Sequence, residues 1–126
     1  MRVWAKGLLV LEAAVELLIG HRVWLTRADF AAAALTSGRD DITGAAMASV
    51  DFEAALAARR AGGLPCSLSE GQILAVAASI AAGVPAVLGD LVCGLDEDNA
   101  VRVAIAVLHA AGFGGRSVLV TRGSQR

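Results

Sequence analysis

The chain has no tyrosine, one lysine (Lys6), two prolines, two cysteines and only five aromatic residues, Trp4, Trp24, Phe30, Phe52 and Phe113. With so few rings, a core must be closed by Leu, Val and Ile, and each Trp or Phe is expected to act as an anchor. Cys66 and Cys93 form neither a C-x-x-C pair nor a disulfide-rich framework, which points to a reduced, cytoplasmic setting, with one Cys66–Cys93 bridge as the alternative. With His21 and His109 they reach the minimum for a zinc site. Structural zinc ligands come in close sequence pairs, however, and these four are far apart, so no metal is expected. The chain also lacks a G-x-G-x-x-G after a strand, a P-loop, an H-E-x-x-H and a G-x-S-x-G. No catalytic residue and no cofactor is therefore assigned.

Charge of either sign is nearly balanced, with 11 basic and 12 acidic residues and a net charge of −1. Such a chain exerts no long-range pull on a phosphate backbone or an anionic membrane. Ten of the eleven basic residues are arginine, and with so much Ala and Gly this composition reads as the codon bias of a GC-rich genome.

Alanine is what the sequence has in excess, at 27 of 126 positions, within a hydrophobic fraction of 56%. Alanine has the best helix propensity and no side-chain entropy to lose, so helices are expected throughout. The length suits one domain. The expectation is an all-α, single-domain bundle of about five to six helices over residues 1–113, followed by a flexible tail over 114–126. Mean hydropathy is +0.64, and 71–89 carries no charge. That stretch is mostly Ala, includes Gln72 and Ser79, and is interrupted by Gly83-Val84-Pro85, so no membrane span is expected. The apolar run after Arg2 and Lys6 is broken by Glu12 and Glu16, which reads as a mature helix rather than a signal peptide.

The first helix is expected from about Val3 to Ile19, with Leu8, Leu9, Leu11, Val15, Leu18 and Ile19 in a wide apolar arc. Such an arc suits either a central helix or one that gives a face to a partner. Residues 22–25 read as an extended connector. Thr26, with Asp29 three residues on, reads as the cap of a second helix over 27–36, and 37–41 reads as a loop. The segment 42–49 is ambiguous, with a short helical turn as one reading. Ser49 or Asp51 should cap a third helix ending before Gly62-Gly63. Ser67-Leu68-Ser69-Glu70 spells a capping box, and the helix it opens should stop at Gly83, with Ile73, Ala77 and Ile80 on one face. A short helix over about 86–93 follows. Asp96 then caps a final helix whose buried face is expected to be Val101, Ala104, Ile105 and Leu108, ending at Gly112 with Phe113 folded back. In the tail, 117–121 reads as a short strand.

The polar clusters mostly have structural tasks. Asp96, Glu97 and Asp98 fall where free amides and the helix dipole favour negative charge, and their spacing is not that of a calcium loop. Cys66 precedes a helix N-terminus that could lower its pKa, but no histidine is fixed beside it by the sequence. A helix-turn-helix over 27–50 would need a recognition helix near 41–50, which has neither Arg nor Lys to read a base edge.

Leu64-Pro65-Cys66-Ser67, Ala77 to Pro85, Gly94-Leu95-Asp96 and His109 to Gly112 together resemble a pattern in short, uncharacterised helical proteins of GC-rich bacteria. The resemblance covers about the last half of the chain and implies no activity or site. The leading functional expectation is a non-enzymatic helical domain that binds itself or another protein, with Trp4, Leu8, Leu11, Val15, Trp24 and Phe30 as candidate interaction residues. The alternatives are a DNA-associated accessory protein and a small enzyme or ligand-binding domain that uses Cys66 or a histidine.

Overall fold

A computed structural model of the chain describes residues 2–39 and 46–114, with side-chain surroundings for 9–35 and 49–114. Its described residues form an all-α bundle of six helices: α1 (Arg2–His21), α2 (Ala28–Ala34), α3 (Phe52–Arg60), α4 (Leu68–Ala82), α5 (Leu88–Val92) and α6 (Glu97–Ala110). A 3-10 turn at Trp24–Thr26 links α1 to α2, and β1 (Leu35–Arg39) pairs antiparallel with β2 (Ala46–Val50). The sequence expectations for 40–45, for the tail from 115 onward and for its strand at 117–121 lie outside the described residues.

The enclosed helix is α4, not α1. Gly71, Gln72, Ile73, Leu74, Val76, Ala77 and Ala78 are all buried, so α4 meets neighbours around most of its circumference, as a helix without a marked polar face must. α1 packs against α4 and α6 through Ala13, Ala14, Leu17 and Leu18, leaving Leu11, Glu12, Glu16 and Ile19 toward solvent. Small side chains at these contacts, with Ala77, Ala78 and Ala106 on the facing helices, allow the axes to approach closely.

Both strongly marked helix starts form as the sequence specifies. The Ser67 hydroxyl accepts from the Glu70 amide at 3.2 Å, while the Glu70 carboxylate accepts from the Ser67 amide at 2.9 Å. Asp96 accepts from the Asn99 amide at 2.8 Å, and Asp51, rather than Ser49, caps α3 by accepting from Ala54 at 3.0 Å. Gly83 ends α4 in the left-handed region, where a Cβ would be strained. At the end of α6, Gly112 takes a positive φ and the Phe113 amide donates to the Leu108 carbonyl at 2.8 Å. Phe113 is therefore turned back by its backbone, with its side chain more than half exposed.

Between α1 and α3 the structure departs from the sequence reading. Residues 24–26 form a 3-10 turn rather than an extended connector. Thr26 does not cap α2: its hydroxyl donates to the Val23 carbonyl at 2.8 Å, and the N-cap position is Arg27. α2 ends at Ala34 because the chain turns extended at Leu35 and enters β1, so 37–39 is strand rather than loop. Ala46–Val50 is the partner strand rather than a helical turn, in a register that sets Leu35 opposite Val50 and Arg39 opposite Ala46. The Asp51 amide closes the base of this pair by donating to the Ala34 carbonyl at 2.8 Å.

The buried face of α6 also differs. Asn99, Val103 and Ala106 point inward, while Ile105 and Val107 are on the exposed side. Ala and Val stand on more than one arc of this helix, so its neighbours, rather than its own pattern, select which apolar arc is buried.

Candidate interaction surface

Trp24 and Phe30, two of the six candidate interaction residues, are fully buried, so neither side chain is available on the surface. Their ring centroids lie 5.5 Å apart, and the Trp24 indole nitrogen donates to the Glu70 carbonyl at 2.9 Å, locking the linker onto the first turn of α4. The Arg27 guanidinium covers the outer side of the indole at 4.6 Å from its centroid and is held there by the Asp29 carboxylate. Of the α1 candidates, Leu11 is exposed and Val15 half-buried, while the side chains of Trp4 and Leu8 lie outside those described.

The apolar surface that does stand open was not among the candidates. It is built by α5 and the outer side of α6. α5 is a single short helix, too short to cover the apolar residues it carries, and Val87 and Leu88 are 67% and 65% exposed. Across from it, Val107 on α6 is 53% exposed. Between them lies a cleft of about 90 Å³ whose walls include Val76 and Ile80 of α4, Leu88 and Leu91 of α5, and Val103 and Val107 of α6. Such a space holds about three waters, or one aliphatic side chain. At Ala86 and Leu91 it adjoins a second groove of about 230 Å³, floored by Leu56, Val84 and Pro85 and edged by Arg59, Arg60 and Asp90.

What holds so short a helix in place is Gln72. Its buried side-chain amide donates to the carbonyls of Asp90 at 2.9 Å and Cys93 at 2.7 Å, satisfying acceptors that the C-terminal turn of α5 leaves open. In the sequence Gln72 stands out only as a polar interruption of a charge-free stretch. Its partners are 18 and 21 residues away, beyond any local pattern.

Other candidate groups remain separate. Cys66 is half-buried and Cys93 exposed, both with free thiols, and among the described residues neither histidine is hydrogen-bonded to Cys66. His109 instead pairs with Glu12 of α1 at 3.2 Å. His21 has a buried Nδ1 without a partner among the described residues; burial, and then the nearby Arg102 guanidinium, hold its pKa below the ordinary value. Among the described residues, no group of three or more His, Cys, Asp or Glu side chains is arranged to hold a metal, and no helix is long and apolar enough to cross a membrane. β2 stands where a DNA-recognition helix would have to begin its second half.

No protein-family model, curated protein or solved structure matches this chain.

Proposed function

We propose that this protein is a non-enzymatic helical interaction domain that associates, with a second copy of itself as the leading partner, through the apolar surface of α5 and α6. The observation that carries this reading is the cleft of about 90 Å³ flanked by Leu88 and Val107, two aliphatic side chains each more than half exposed. Singly exposed aliphatics need no explanation, but a paired set around an apolar cleft does. A twofold arrangement lets each copy supply a knob to the other's cleft, since an isologous contact uses the same patch twice.

Light scattering over a wide concentration range tests it. The expected result is a mass rising above the 12.8 kDa of one chain as concentration increases, with Leu88→Glu returning it to that value. A wild-type chain that stays at 12.8 kDa into the millimolar range overturns self-association through this face.

A further inference from the structure

Gly71 lies inside α4, is buried and takes no positive φ, so its backbone conformation does not ask for glycine. Alanine, which this chain uses in excess, would suit the helix better by propensity. What an alanine would meet is Arg59 of α3: a Cβ on Gly71 would lie 2.6 Å from the guanidinium Cζ and 2.8 Å from Nε. The missing side chain therefore makes a slot in α4 that seats the half-buried Arg59. The dipole of α3 favours basic residues in its last turn, which accounts for the charge of Arg59 and Arg60 but not for a slot in the neighbouring helix. Among the described residues, neither guanidinium makes a hydrogen bond or an ion pair.

Both arginines edge the groove of about 230 Å³ between α3 and α5, whose lining also includes the apolar Leu56, Pro85 and Val87 and a single carboxylate, Asp90. We propose that this groove binds a small aliphatic monocarboxylic acid, with Arg59 and Arg60 on the carboxylate and Pro85 and Val87 against the hydrocarbon. Three properties point to this class of ligand. Guanidinium forks match a carboxylate through paired N–H donors. Two positive charges and one negative in the lining leave one positive charge, which a monoanion balances, whereas Asp90 opposes the second charge of a dianion such as phosphate. The volume is that of about seven or eight waters, room for an acid of about six carbons. Val87 is 67% exposed, so the hydrocarbon would cover apolar surface that the fold leaves bare. Glu53 lines an adjoining groove on the far side of this one and is not part of its lining. The cleft flanked by Leu88 and Val107 shares only Ala86 and Leu91 with the groove, so the proposal does not rest on self-association.

Amide NMR of the full chain, titrated with 4-methylpentanoate at constant ionic strength, tests the proposal. The expected result is a saturable shift of the amides of 59–60 and 84–91 with a Kd in the millimolar range, and no saturable shift with 4-methylpentan-1-ol or inorganic phosphate. Arg60→Gln, at an exposed position, should weaken binding of the acid about tenfold. Gly71→Ala is the sharper variant, because its methyl meets only the far end of a flexible side chain. It should weaken binding by a similar factor while the thermal midpoint stays at or above that of the wild type. No saturation by the acid, an equal shift with the alcohol, saturation by phosphate, or wild-type binding in either variant would each overturn the proposal.

Discussion

His21 ends α1 near Arg102 of α6, Asp96 at its N-cap and Glu70 of α4, with its Nδ1 buried and unpaired among the described residues. Burial disfavours the imidazolium, and Arg102 adds to this, while the two carboxylates oppose it without reversing it. Because the folded-state pKa lies below the ordinary 6.5, the unfolded chain takes up the proton first. The stability His21 contributes is thus whole above pH 6.5 and declines as pH falls from there toward the folded pKa. Urea titrations from pH 7.5 to 5 should show this decline, and His21→Gln should flatten it; an unchanged slope would remove His21 as its source. The next residue, Arg22, adopts a φ of 63°, the left-handed conformation that usually belongs to glycine after a helix. Its side chain is exposed, and its amide bonds to the Leu18 carbonyl at 3.1 Å, a contact that any residue can make. Arg22→Gly should therefore raise stability by up to about 1 kcal/mol, as relief of left-handed strain outweighs the added freedom of the unfolded chain. A lower thermal midpoint would mean that the arginine side chain supports the turn.

α5 is the element most dependent on something outside itself. Five residues cannot sustain a helix in water, and its Leu88 faces solvent, so its position rests on Leu91 against the core and on the Gln72 amide. Replacing Gln72 by Leu keeps the volume but leaves two carbonyls unpaired, at a cost of about 1–3 kcal/mol. The expected signature is local: faster amide exchange at Cys93, whose amide closes α5 onto Gly89, with slower-exchanging amides in α4 unchanged. Uniformly faster exchange would show that Gln72 holds the whole bundle instead. Elements of this kind also mark the limit of what the sequence reveals. The starts of α4 and α6 are legible because their caps are local, with Ser67 and Glu70 three residues apart and Asp96 three residues before Asn99. The strand Ala46-Met47-Ala48-Ser49-Val50 shows no alternation to announce it and exists through pairing with Leu35–Arg39, itself read as helix end and loop. Trp24 and Phe30 were legible as anchors, but not as wholly interior ones. The open cleft was not legible, since it depends on how α5 is held by a glutamine one helix away.

Among the described residues, α6 borders one opening flanked by Leu88 and Val107 and another flanked by Glu16 and Ile105. A chain with a net charge of −1 and a hydrophobic fraction of 56% has little charge repulsion to keep copies apart, so the fate of each opening governs its behaviour in solution. The two openings share no residue, so substitutions at them should act independently. Leu88→Glu should lower the mass seen by light scattering. Glu16→Lys should leave the mass unchanged, and the double variant should match Leu88→Glu alone. Were Glu16→Lys alone to change the mass, the seam between α1 and α6 would be a second association surface. Two association surfaces on one molecule would then build chains of molecules rather than closed dimers, and mass would grow without limit as concentration rises.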